Sequence, residues 1–153
     1  MGNGLGFDAF FGFAGVQLSI SMANFGAGYG MWRSGAAIAG MGQRKPQLIV
    51  KNLLPVIMAS ILGIYGMIVS IILVKKIDLK DYNWQQGYKH FGAGLSTGFS
   101  CLVAGVAIGM VGDWGVRGVA KQPKLFVALL LILIFAEAIG LYGMIMGIII
   151  ATK

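Results

Sequence analysis

Glu137 is the only Asp, Glu, Lys, Arg or His in an apolar run that extends from Leu125 to Thr152. At about 1.5 Å per residue a helix of that length crosses a bilayer. A carboxylate at the centre of such a helix costs roughly 2.5 to 3.5 kcal/mol to insert. No basic residue in the same run offsets it. The group is therefore neutral for much of the time, or is paired by another helix or another subunit. Burial favours the neutral acid and a nearby cation favours the anion. A carboxyl that alternates between the two at membrane depth has the chemistry of a proton carrier. The bland alternative is a structural carboxyl hydrogen-bonded to a neighbouring helix.

Other polar residues are weaker candidates. Ser60 donates either to Glu137 or to its own helix carbonyl. Tyr142 follows Glu137 by five residues, roughly 140° round a helix, so it does not share its face. Tyr65 can reach the carboxyl only from another helix. Gln17 and Asn24 read as interhelical hydrogen bonds, His90 as a headgroup contact, and Asp8 and Asp113 as solvated residues near span ends. Cys101 is the single cysteine; it forms no internal disulfide and packs as a small hydrophobe.

These side chains need a membrane scaffold. The 153 residues are 58% hydrophobic and 11% charged, too few charges to cover a soluble domain. Four apolar segments are expected as transmembrane helices, at about 8–40, 48–75, 87–118 and 124–151. The alternating ten-residue segments of a β-barrel are absent. The fold class is thus all-α membrane protein. No removable leader is read, and the first span serves as its own insertion signal. The net charge of +7 comes from residues at the ends of apolar runs, where Lys and Arg snorkel. No folded polar surface exists to carry a basic face, which argues against nucleic acid. Gly94-Leu95-Ser96-Thr97-Gly98 lacks the lysine of a phosphate-binding loop, and one His with one Cys makes no metal cluster. No catalytic site, cofactor or metal is expected.

The chain repeats itself. Tyr65-Gly66-Met67-Ile68 returns 77 residues later as Tyr142-Gly143-Met144-Ile145. The same offset pairs Pro46 with Pro123, Gly35 with Gly112, and Ala27-Gly28 with Ala104-Gly105. This is a tandem duplication of one helical hairpin, 1–76 and 77–153. Two helices per unit make the copies parallel. Glu137 has Ser60 as its twin. Glycines spaced by four, including Gly26 and Gly30, Gly105 and Gly109, and Gly143 and Gly147, allow backbones to approach; Gly28 extends the first of these runs. Segments one and three, rich in small residues, suit the inner wall of a ring. Segments two and four suit an outer wall facing lipid.

The sequence from Ile134 to Gly143, Ile-Phe-Ala-Glu-Ala-Ile-Gly-Leu-Tyr-Gly, resembles the fourth-helix signature of the proteolipid family of V-type proton ATPases. Gly109 to Gly118 is similar to that family's third-helix end, and Gly26-Ala27-Gly28-Tyr29-Gly30 to its first-helix glycine run. The resemblance covers essentially the whole chain. It implies a rotor ring of this chain and related proteolipids, in membrane lipid. Glu137 would release its proton near an Arg of the stator's a-subunit. The short loops would meet the d-subunit of the central stalk, with Arg117 and Gln122 at that contact. It also implies vacuolar or lysosomal membranes. Sodium-coupled relatives carry oxygen ligands one and two positions after the site matching Ser60; Ile61 and Leu62 here have none, so the transported ion is expected to be H+. One carboxylate per four helices implies fewer protons per turn and steeper pumping, each charge costing about 2.3 kcal/mol per 100 mV. Seven basic residues on the short-loop side against five on the other place those loops in the cytosol and the termini in the lumen. The competing readings are a passive four-helix channel, which would not need Glu137, and a small proton-coupled carrier, which would need a polar cavity.

Overall fold

The computed structural model describes residues 5–78 and 82–153, without the side chains of 5, 6 and 8. The expectation that Asp8 is solvated therefore rests on a side chain outside the described residues. Four helices follow one another: α1 (Leu5–Gly42), α2 (Leu54–Lys76), α3 (Trp84–Lys121) and α4 (Leu125–Thr152). Two single 3₁₀ turns, Pro46–Leu48 and Lys51–Leu53, lead into α2. Prolines open the elements after the short connections, where a missing N–H costs nothing: Pro46 begins the first turn and Pro55 the start of α2. At the other end Asn83 starts α3, its backbone N–H donating to Gln86 Oε1 at 3.3 Å.

The helices outrun the apolar segments. α1 and α3 have 38 residues each, about 57 Å at 1.5 Å per residue, against a hydrocarbon core of about 30 Å. Residues 84–86 and 119–121, beyond the expected span of 87–118, are also helical. Apolarity reports the thickness of the membrane, whereas the helix continues until its backbone is stopped, here by extended Gln122 before Pro123. α2, α3 and α4 are long and apolar enough to cross a membrane. α1 is less apolar because Gln17, Asn24 and its serines dilute the run. It nevertheless traverses the same thickness, because it lies along α3 from Gly15 beside Gly94, through Gly26 beside Gly105, to Gly30 beside Gly109. Both sequence numbers rise together, so the two helices are parallel.

That seam is made of backbone. A Cβ at Gly94 would fall on the main chain of Gly15, and one at Gly105 on the main chain of Gly26. α2 and α4 touch each other as well as the α1–α3 pair, so they lie on one side of it. Their free faces carry Ile57, Ile64, Met67, Ile71, Val127, Leu131, Phe135 and Ile149, all exposed, which suits lipid. The central core draws on all four helices: Ala23, Ala27, Ala59, Leu62, Cys101, Ala104, Ile108, Leu133 and Ala136.

The ends of the seam are fastened differently. At one end Asp113 is buried between Arg33 Nη2 at 2.7 Å and Arg117 Nε at 2.8 Å. The expectation that Asp113 is solvated is thereby corrected: α1 lies close enough to bring Arg33 across. At the other end the ring of Phe11 meets those of Trp84, Tyr88 and Phe91. His90, expected at the headgroups, is buried instead, its Nδ1 2.6 Å from the Tyr82 hydroxyl.

Candidate functional site

α4 carries Glu137 on the border between core and lipid face. Ala136 and Leu133 beside it point inward, while Ile134, Phe135 and Ile139 are exposed. Glu137 itself is half-buried. A glycine brings the helices close at this level. Gly140 has no side chain to hold off Leu62 of α2 or Ala104 of α3. The Cys101 thiol lies 3.9 Å from the Gly140 carbonyl.

Across that contact, Tyr65 of α2 donates its hydroxyl to Glu137 Oε1 at 3.1 Å. The second carboxylate oxygen, Oε2, is buried and has no hydrogen-bond partner among the described residues. The site is thus one carboxyl with one phenol, in apolar walls. The phenol stabilises negative charge on Oε1 by donation, a charge-assisted bond. The unpartnered Oε2 leaves that stabilisation incomplete. A carboxyl held in this way is stable as the neutral acid in lipid, and it is short of one donor or cation for the charged form. Such a group takes and gives up a proton according to what is brought beside it.

The remaining candidates divide. Ser60 does not join the site. Its hydroxyl donates to the Ile57 carbonyl of its own helix at 2.7 Å and faces outward. In lipid a hydroxyl takes the nearest carbonyl, and Ile57 is one turn back. Ile61 and Leu62 bring no oxygen, and among the described residues no cluster of His, Cys, Asp and Glu could hold a metal ion. Tyr142 is exposed and turned away from Glu137. Gln17 and Asn24, read as interhelical hydrogen bonds, are exposed and make no hydrogen bond among the described residues.

Of the packing glycines, Gly26, Gly30, Gly105 and Gly109 line the α1–α3 seam, and Gly143 lies against Ser96 and Ser100 of α3. Gly28 is a correction: its free side is open, with nothing within 4 Å of where a Cβ would stand. It shares the glycine-rich stretch of Gly26 and Gly30 but sits on the opposite face. Asn52 and Ser34 are polar, wholly buried and unpartnered among the described residues; sequence reasoning missed both, and nothing in their spacing marks them.

Comparison with known proteins fits this geometry. The family model for the C subunit of ATP synthase matches twice, over residues 14–73 and 91–150. The second match is displaced from the first by the 77 residues that separate the repeats. The 16 kDa proteolipid (c-subunit) of the V-type proton ATPase of Nephrops norvegicus is 48% identical over 96% of this chain and 93% of its own length. The 16 kDa proteolipid of the Rattus norvegicus enzyme is 46% identical over 96% and 94%. The c'-subunit of the V-type proton ATPase of Saccharomyces cerevisiae is 48% identical over 94% and 88%. With both hairpins matched and relatives this similar along most of their length, the chain belongs to the ATP synthase C-subunit family, alongside the V-type proton ATPase proteolipids.

Proposed function

We propose that this chain is a proton-carrying rotor subunit in the membrane sector of a V-type ATPase. The observation that carries the reading is Glu137, a lone half-buried carboxyl at mid-membrane that accepts one hydrogen bond from Tyr65 and leaves Oε2 unpartnered. A structural carboxyl would have both oxygens satisfied. A carrier needs one oxygen open to an incoming proton or cation.

Glu137 takes a proton, travels through lipid as the neutral acid, and releases it beside an Arg of the stator's a-subunit. The apolar faces of α2 and α4 face lipid on the outer wall of a ring built from copies of this chain and related proteolipids. α1 and α3 form the inner wall. The two hairpins, 1–76 and 77–153, are two copies of one unit, of which only the second holds a carboxyl at this depth. The transported ion is H+, because a sodium ion requires several oxygens and this site offers a carboxylate and a phenol. The chain holds no site for ATP hydrolysis, so that step belongs to other parts of the assembly. The short connections face the cytosol and the d-subunit of the central stalk, with Arg117 and Gln122 at the contact. The termini face the lumen of a vacuolar or lysosomal compartment.

The test is ATP-driven acidification of vesicles carrying the assembled enzyme, wild type against Glu137→Gln at matched assembly. Loss of acidification with the ring intact supports the reading. Persistence of acidification shows the carboxyl to be structural and returns the passive channel as the reading to pursue.

A further inference from the structure

We infer that the groove at the short-connection end of the α1–α3 seam binds the phosphate headgroup of an anionic phospholipid. The groove has a volume of about 740 Å³ and is lined by α1, α3 and the residues that follow α1. Neither α2 nor α4 contributes to it. Arg44, Lys45, Arg117 and Lys121 supply its charge. The floor is apolar, formed in part by Ala37 and Met41, and Trp114 stands at the rim, 76% exposed.

The cations at this end outnumber the acids that could neutralise them. From Arg33 to Lys51 and from Asp113 to Lys124 the chain has seven basic residues and a single acid, Asp113. Asp113 is already held by Arg33 and by Nε of Arg117. Lys45 donates to the Ala120 carbonyl near the end of α3. Arg44, Lys121 and the outer N–H groups of Arg117 keep no acceptor among the described residues. A guanidinium with two free N–H groups is a bidentate partner for phosphate oxygens.

Depth selects a lipid. The charge-free stretches of the seam, residues 9–32 of α1 and 91–112 of α3, each measure roughly 33 to 36 Å, about one hydrocarbon thickness. Arg33 and Asp113 therefore mark the edge of the hydrocarbon, and the groove begins one turn beyond it, at headgroup level. Its floor is apolar at that level, and Trp114 sits where interfacial aromatics collect. Basic pockets between transmembrane helices are sites for anionic headgroups. An acidic protein segment would use the cations but would have no need of an apolar floor at headgroup depth. The site does not depend on how Glu137 works, and its test rests on Arg44 and Lys121 rather than on Arg117, which is also placed at the stalk contact.

The experiment is native mass spectrometry of the full-length protein in detergent, with phosphatidylserine or phosphatidylcholine of identical acyl chains added. The wild type should retain phosphatidylserine about tenfold better. Arg44→Gln with Lys121→Gln should abolish that preference, and the charge-conserving pair Arg44→Lys with Lys121→Arg should keep it. Lys75→Gln with Lys76→Gln, at the opposite end, should leave it unchanged. Equal retention of both lipids by the wild type overturns the inference, as does a preference that survives the Arg44 and Lys121 neutralisation. Equal loss in the Lys75 and Lys76 variant would show a diffuse charge effect and also overturns it. Competition by glycerophosphoserine as effective as by the lipid would make this a bare anion site. Displacement of the bound lipid by an acidic peptide that binds more tightly than phosphatidylserine would make it a protein contact.

Discussion

In the first hairpin Gly63 of α2 rests on Asn24 and Ala27 of α1; in the second, Gly140 of α4 rests beside Cys101 and Ala104 of α3, the same positions 77 residues on. Gly66 meets Ser19 and Ala23, and Gly143 meets Ser96 and Ser100, again in register. The outward faces have diverged. α4 presents Glu137 where α2 presents Ser60, bonded to its own helix. Tyr65 of α2 crosses to the carboxyl of α4, while its twin Tyr142 is exposed. The contacts that let two helices approach are shared by both copies, because any added atom there collides with a neighbour. The chemistry is divided between them: the acid lies in one hairpin and its hydrogen-bond donor in the other. Neither hairpin alone holds the whole site.

Exchanges at equivalent positions test this division. The largest contrast is Glu137→Gln against Ser60→Ala. The first should abolish ATP-driven acidification at matched assembly. The second should leave the rate unchanged, since the Ser60 hydroxyl serves only its own helix; a large loss would show that α2 takes part in the site beyond Tyr65. Next comes Gly105→Ala against Gly28→Ala. The new methyl at 105 meets the Gly26 backbone, and overpacking of this kind costs about 1 to 3 kcal/mol. At Gly28 the space is open. Thermal unfolding in detergent should separate the two variants, and equal stability would remove the case for a backbone-to-backbone seam. The smallest contrast is Tyr65→Phe against Tyr142→Phe. Loss of one hydrogen bond to a charged group is worth about 1.5 kcal/mol or more, so Tyr65→Phe should slow acidification roughly tenfold, a factor that corresponds to about 1.4 kcal/mol. Tyr142→Phe should pump at the wild-type rate, and equal slowing of both would assign the tyrosines a general role at the lipid face.

Much of this was legible in the residues. The duplication, the helices and the isolation of Glu137 follow from composition and offset alone. The partner of Glu137 was legible only as a restriction: Tyr142 lies on the wrong side of α4, so Tyr65 had to come from another helix. Which glycines pack was not legible. Gly26 and Gly28 are two residues apart and alike in type, and only the position of α3 decides which one is covered. Asp113 misled for a related reason. An acid near a span end looks solvated until α1 is placed parallel to α3 and Arg33 arrives beside it. α1 and α3 run two or three residues past their expected ends, because membrane thickness limits apolarity but does not limit hydrogen bonding along the backbone.

The fastening at Arg33, Asp113 and Arg117 has a mechanical side. In the rotor proposed above, a load applied to α2 and α4 at Glu137 reaches α1 and α3 as shear along their length. Along the glycine seam only close contact opposes sliding. At Asp113 an ion pair crosses from one helix to the other, and beyond it Lys45 grips the last turn of α3. Slip between the hairpins must break those bonds first. In that rotor, displacement entering at Glu137 is therefore delivered to the short connections with little lost motion, as through a shaft keyed at one end.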